Sequence, residues 1–309
     1  MDIPTVKPTC LKIGDTIAIV APAGPIEKRD ALERGIAALE RMGFHVRISE
    51  RIFESFRYLA GDDSSRAEEL MGAFEDPSVQ AVIALRGGYG CSRLIPLLKE
   101  KRLRHHPKIF MGFSDLTTLH LFFRRRFGWI TIHGPVAVSS ALGNIAGDHE
   151  KHLLSLWTDP EYHPTLNFPQ LEAWFPGSAE GILVGGCLSI IDASIGTPYE
   201  IKTEGKILLL EDQGEPPYRL DRMLTHLYQA KKLQSLAGLI IGEFRDCEPS
   251  EGSYTAGETL REILAELQVP IIANFPTGHG PDNWAIPLGA KVKIDADTRT
   301  VLFLDSAVG

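Results

Sequence analysis

Sulphur chemistry is the first thing this chain lacks. It carries four cysteines, Cys10, Cys91, Cys187 and Cys247, in 309 residues, and no two are spaced C-x-x-C. That fits a reduced, cytoplasmic chain better than a disulfide framework or a thiolate zinc site. Positive charge is also short. With 32 basic against 40 acidic residues the net charge is -8, so the chain repels phosphate backbones and no nucleic-acid partner is expected. No apolar run reaches the roughly 18 residues of a membrane span. The opening segment MDIPTVKPTCLKIGD has no apolar core of a secretory signal. Nucleotide signatures are missing as well: there is no G-x-G-x-x-G and no P-loop lysine. His149 and His152 stand in HEKH, one residue short of H-E-x-x-H, so no metal site is read.

What remains is a chain with 44% hydrophobic and 23% charged residues, enough to bury a core and to fold. At roughly 100–200 residues per domain it has room for two. In the first half, short apolar runs alternate with helical spacing. Strands are predicted at 16–20, 44–48, 79–85, 108–112 and 129–132. Helices are predicted at 28–42, 63–74, 92–98 and 116–123. Such alternation implies a parallel sheet wrapped by helices, with ligands beyond the carboxyl ends of the strands. Residues 161–180 lose all periodicity among Pro164, Pro169, Pro176 and Gly177, and read as a linker between domains 1–160 and 181–309. The second half is a mixed α/β or β-rich domain. Its strands are predicted at 181–185, 206–211, 236–242, 270–274, 285–287, 291–294 and 301–304, and its helices at 220–230 and 255–267.

Three strand ends and one loop carry candidate chemistry. Gly112-Phe113-Ser114-Asp115 lies between a predicted strand and helix, which lifts Ser114 onto a tight turn and offers the Asp115 N–H as an oxyanion donor. The same serine could equally be a helix N-cap, and Leu116 stands where the G-x-S-x-G elbow has its last glycine. Arg86-Gly87-Gly88-Tyr89-Gly90 closes a neighbouring strand. Its glycines suit either a backbone cradle for an oxyanion or carboxylate, or an ordinary tight turn. Glu211 and Asp212 end the apolar run Leu208-Leu209-Leu210, where a carboxylate can orient a histidine or pair with Arg219 or Arg222. His279 sits uncrowded between Gly278 and Gly280. Serine, acid and histidine in that chain order are one arrangement of a hydrolytic triad.

At these residues the chain resembles the LD-carboxypeptidase family of serine peptidases, which also contains the microcin C self-immunity proteins. The resemblance runs through IAIVAPAGP (17–25), YLAGDDSSRAEEL (58–70), ALRGGYGCSRLI (84–95), MGFSDLTTLH (111–120), HGP (133–135), GGCLSII (185–191), GTPYE (196–200), LLLEDQGEPPYRLDRML (208–224) and GHG (278–280). It implies a flavodoxin-like parallel-sheet N-terminal domain, a smaller mixed β/α swivelling C-terminal domain, and a homodimer. It implies a catalytic triad of Ser114, Glu211 and His279 at the domain interface, with the oxyanion held by the N–H groups of Gly88 (or Gly87) and Asp115. The implied reaction removes the terminal D-alanine from the murein tetrapeptide at its diaminopimelate bond, in the cytoplasm, without metal or organic cofactor. Arg86, Gly87 and Tyr89 are the candidates for recognising the substrate. Cys187 stands where the family's Gly-Gly-Asn-Leu asparagine is expected. Two other readings remain open. One is a hydrolase of peptidyl or aminoacyl nucleotides, with Trp174 as an adenine platform; the other is a non-catalytic two-domain binding protein.

Overall fold

The computed structural model describes residues 3–249 and 254–309. Two compact units emerge. The first comprises the chain up to Tyr162 with Trp284–Pro287 and Ser306–Gly309; the second comprises His163–Asn283 and Leu288–Asp305.

The first unit runs β1 (Thr16–Val20), α1 (Arg29–Arg41), β2 (His45–Ile48), α2 (Asp63–Glu75), β3 (Ala81–Ala84), α3 (Cys91–Leu94), α4 (Glu100–Leu103), β4 (Ile109–Gly112), α5 (Thr117–Phe127), β5 (Thr131–His133), α6 (Ser140–Gly143) and α7 (Gly147–Thr158). Its strands order as β2-β1-β3-β4-β5, every pair parallel. This is the parallel sheet the sequence predicts, in the flavodoxin-like order that the family resemblance implies. β3 and β4 lie inside the sheet and every residue of both is buried, which is why AVIA and IFMG carry no polar alternation. β2 is the edge, and three of its four residues are exposed. Helix ends follow local chemistry. The Asp62 carboxylate accepts the Ser65 amide at 2.9 Å and starts α2. Gly128, at φ 74°, stops α5 in the left-handed conformation. The helix predicted over 92–98 instead divides into α3 and a 3-10 turn at Ile95–Leu97. Pro96 has no N–H to continue the ladder.

The second unit runs β6 (Thr165–Leu166), β7 (Glu172–Phe175), β8 (Ser178–Cys187), α8 (Leu188–Ser194), β9 (Ile207–Gln213), α9 (Pro217–Gln229), β10 (Gly238–Arg245), α10 (Ala256–Ala265) and β11 (Ile271–Ala273). After β12 (Ile286–Leu288), which lies beside β5 in the first sheet, come β13 (Lys291–Asp295) and β14 (Thr300–Phe303). The second sheet orders as β6-β14-β13-β8-β9-β10-β11-β7. β8, β9, β10 and β11 pair in parallel, whereas β7, β13 and β14 join antiparallel. Helix α10 begins with a reciprocal capping box between Thr255 and Glu258.

The structure differs from the predicted domain limits at two places. Residues 161–180, read as a linker, hold β6, β7 and the start of β8. β6 and β7 are the two edges of the second sheet. Edge strands this short, flanked by proline, carry no buried alternation and so look like loop. The strand predicted at 285–287 is present as β12, but it belongs to the sheet of the first unit, as do the last residues of the chain.

Helix α1 buries Leu32, Gly35, Ala38 and Leu39, one stripe at helical spacing. At Gly35 the helix meets backbone directly: a methyl group there would stand 1.9 Å from the Ala137 carbonyl oxygen. Gly35→Ala gains helix propensity but overpacks this contact, and should cost about 1–3 kcal/mol. Urea unfolding reads the effect. An unchanged or higher midpoint contradicts the close approach.

Candidate active site

In the first unit, the ends of β3 and β4 face a shared problem of space. β4 ends at Gly112, and Ser114 follows with φ at 64°. A non-glycine residue in the left-handed region is strained and needs surrounding structure to hold it there. Three contacts do so. Asp115 turns its carboxylate inward, 2% exposed, to accept the Cys91 amide at 2.8 Å, which ties this turn to the start of α3. Burial raises the Asp115 carboxyl against the opposing pull of that amide. His120, one turn along α5, reaches back so that its Nε2 lies 2.8 Å from the Gly112 carbonyl. A carbonyl only accepts, so Nε2 carries the proton and Nδ1 accepts from the Thr131 hydroxyl at 2.8 Å. Burial pushes the His120 pKa down to about 4, which keeps the ring neutral. Gly87 closes the third side, since a methyl group on it would stand 2.9 Å from Ser114 Cβ and 3.1 Å from Oγ. Only glycine lets the two turns meet.

The glycine loop is itself pinned. The Gly24 amide donates to the Gly87 carbonyl at 3.1 Å. The Gly88 N–H, on the far side of the same trans peptide, is thereby directed away from Gly24. Gly88 has φ +109°, a conformation that needs glycine. Arg66, wholly buried, donates to the carbonyls of Pro22 and, at 3.1 Å, Gly90, and pairs with Asp63. Of the sequence-predicted recognition residues, Arg86 is engaged by Glu27 and by the Pro25 carbonyl at 3.3 Å. Tyr89 is exposed with its ring 5.7 Å from that of Tyr58.

In the second unit, β9 ends the apolar run Ile207-Leu208-Leu209-Leu210 with Glu211, fully buried, and Asp212. The two carboxylates part company. Asp212 accepts the amides of Ser189 at 2.7 Å and of Gln213 at 2.8 Å, and its Oδ1 lies 3.5 Å from Cys187 Sγ. Glu211 Oε2 meets His279 Nδ1 at 2.6 Å. Of the two acids left open by the sequence, Glu211 is the one brought to the histidine. An ionised carboxylate only accepts, so Nδ1 carries the proton and Nε2 presents its lone pair. Burial lowers the imidazole pKa, but the bond to Glu211, its charge and that of Asp212 outweigh it, and the net direction is up. Burial is also what raises the Glu211 carboxyl, against the stabilising His279. Cys187 lies at the end of β8, where burial holds its thiol protonated.

The loop bearing His279 is held from several sides. The Gly278 amide donates to Asn283 Oδ1 at 2.9 Å, and Arg245 Nη1 donates to the His279 carbonyl at 3.1 Å. Glu243 donates its amide to the Thr277 carbonyl at 3.1 Å. Its carboxylate lies against Gly280, where a methyl group would stand 1.2 Å from Oε2. Burial raises the Glu243 carboxyl, with Asp282 and Glu211 adding to the shift and Arg245 opposing it. The sequence missed Glu243 because the predicted strand stops at Gly242, whereas β10 continues to Arg245. It also left unread the Asp115 side chain, Arg66 and His120. A buried arginine and a buried histidine inside helices carry no periodic signal of their own. Among the described residues no group of three or more His, Cys, Asp or Glu side chains is arranged to hold a metal ion. None of the described helices is long and apolar enough to cross a membrane.

Residues 17–134 match the profile of the LD-carboxypeptidase N-terminal domain, and residues 180–294 that of the LD-carboxypeptidase C-terminal domain. The probable murein peptide carboxypeptidase of Bacillus subtilis is 34% identical over 299 residues, covering 96% of this chain and 93% of that protein. The murein tetrapeptide carboxypeptidase of Pseudomonas aeruginosa is 34% identical over 301 residues, covering 95% and 97%. The structure of the microcin C7 self-immunity protein MccF in its wild-type apo state superposes with a TM-score of 0.90 at 22% identity, covering 98% of this chain and 100% of that one. That last likeness is one of fold.

Gly278 has φ +114°, and a methyl group on it would stand 2.5 Å from Glu211 Oε2. Gly278→Ala should therefore break the His279–Glu211 bond. An imidazole NMR titration should place the wild-type His279 pKa above 6.5 and the variant's lower than the wild type's, because the hydrogen bond is lost while the charges of Glu211 and Asp212 still oppose burial. Coincident titrations contradict the assignment of the shift to Glu211.

Proposed function

The chain belongs to the LD-carboxypeptidase family, and from that premise we propose that it removes the terminal D-alanine of the murein tetrapeptide by attack of Ser114 on the diaminopimelate carbonyl. His279 Nε2 takes the Ser114 proton as Oγ bonds to the carbonyl carbon. Glu211 holds the ring in that tautomer and offsets the imidazolium charge. The oxyanion of the tetrahedral intermediate is held by the N–H groups of Gly88 and Asp115, each donor worth roughly 10²–10³ in rate. The C–N bond then breaks as His279 returns the proton to the D-alanine nitrogen. Water, deprotonated by the same imidazole, releases the tripeptide and restores Ser114.

The observation that carries this reading is the 2.6 Å bond between His279 and the fully buried Glu211. A buried carboxylate oriented on an imidazole leaves the far nitrogen as a base. The strained turn at Ser114 supports it from the other unit, as a serine held at φ 64° is shaped for more than capping a helix. The full relatives named above act on murein peptides according to their names. The reading extends to a cytoplasmic homodimer with no cofactor. The fold likeness to MccF fits the nucleotide-hydrolase alternative, but the relatives at 34% identity carry murein-peptide names and favour the carboxypeptidase. Trp174, the aromatic platform of that alternative, has Arg261 over its ring at 5.9 Å and donates to Glu172 at 3.2 Å.

Mass spectrometry of the protein incubated with murein tetrapeptide should show tripeptide and free D-alanine. Ser114→Ala should lower kcat about 10⁶-fold with the thermal midpoint retained. A Ser114 variant within tenfold of wild type, or no D-alanine release by the wild-type protein, overturns the proposal.

A further inference from the structure

The second unit contains a cavity of about 470 Å³ that the reaction described above leaves unused. Trp174, Glu243, Arg245, Leu260, Asn274 and Gly280 are among its walls. Its size is that of a small-ligand pocket. Two of its wall residues stand out. Glu243 is half-buried and lines the cavity; the Gly280 N–H beside its carboxylate favours the charged form, but Oε2 has no well-formed hydrogen bond among the described residues. A half-buried carboxylate short of donors is costly, and an ammonium in the cavity would lower that cost. Arg245 follows two residues later on β10 and lines the same cavity. Its guanidinium spends Nη1 on the His279 carbonyl and lies 3.6 Å from Asp246 through Nε, which leaves donors of its planar fork available. Glu248, the other acid of this wall, is exposed to solvent, so it has no such deficit.

A half-buried carboxylate short of donors and a guanidinium with donors to spare, two residues apart on β10, form the complement of a zwitterion. We propose that this cavity receives an α-amino-acid head group, with Glu243 taking the ammonium and Arg245 the carboxylate. The assignment rests on the carboxypeptidase reading, and it deepens that reading by naming residues for substrate choice. The diaminopimelate residue of the tetrapeptide ends its side chain in such a head group. Gly280 is part of the design: any side chain there would occupy the position of the Glu243 carboxylate, and Gly280 directly follows the histidine of the dyad. Recognition and chemistry are thus built on adjacent residues of one loop. Glu243 and Arg245 are specificity residues here and take no part in bond making.

The test compares tetrapeptides that differ only in this head group. Replacing meso-diaminopimelate by L-2-aminopimelate removes the ammonium; replacing it by L-lysine removes the carboxylate. The wild-type protein should prefer the diaminopimelate peptide in kcat/KM by about ten- to hundredfold over each analogue, the range for a hydrogen bond to a charged group. Glu243→Gln should collapse the preference over aminopimelate to within about threefold while keeping the preference over lysine. Arg245→Gln should do the reverse. Because each readout is a ratio within one variant, general damage to the fold or to His279 cancels. A wild-type protein that cleaves all three peptides equally, or variants that keep the wild-type ratios, overturns the assignment while the carboxypeptidase reading stands. Failure of the wild-type protein to release D-alanine from any of them brings down both.

Discussion

Glu211 is a carboxylate at the end of a strand of isoleucine and leucine, with no exposed surface. Moving an ionised carboxyl into such surroundings costs several kcal/mol unless a partner offsets it. His279 is that partner, at 2.6 Å. The cost and the compensation fall on different parts of the chain, because the acid lies on β9 and the histidine on a loop after β11. The path between them is kept short by small residues. Gly278 has no side chain to push Glu211 away, and Asn283 receives the Gly278 amide and so sets the loop's approach. The same burial that penalises the acid makes its effect on the imidazole large, since the charges interact in a poorly screened setting.

The first unit stores its cost in the backbone instead. Ser114 adopts a conformation that serine seldom takes, and the turn is held by a buried acid, a neutral buried histidine and a glycine contact rather than by one dominant bond. Asp115 illustrates the economy of the arrangement. Its amide is an oxyanion donor of the proposed reaction, while its side chain joins the Ser114 turn to the start of α3 and hence to the glycine loop. A substitution at Asp115 therefore disturbs two loops at once, even where the amide remains.

Much of this was legible in the sequence, for identifiable reasons. Buried parallel strands are short apolar runs, so β1, β3, β4 and β9 announce themselves, and their carboxyl ends mark where to seek chemistry. The Leu-Leu-Leu-Glu-Asp run located the acid but left two carboxylates to choose between, because neighbouring strand residues point to opposite faces and the faces are decided by partners far away in sequence. The edge strands β6 and β7 were invisible, as an edge of two to four residues among prolines has no alternation to read. Arg86, a candidate for recognising the substrate, pairs with Glu27, a long-range contact that no local pattern encodes. Glu243 went unread because a predicted strand ended three residues early, at a glycine that β10 passes through.

The central claim is that a buried acid tunes the histidine that activates the serine. The most direct test is the pH dependence of kcat/KM on the murein tetrapeptide for the wild-type protein and Glu211→Gln. The base must be neutral, and its pKa is raised, so the wild-type acid limb should lie above 6.5, with activity lost as pH falls through it. In Glu211→Gln the plateau should drop by roughly 10⁴-fold, and the limb should move to lower pH. Superimposable acid limbs in the two proteins would contradict the account.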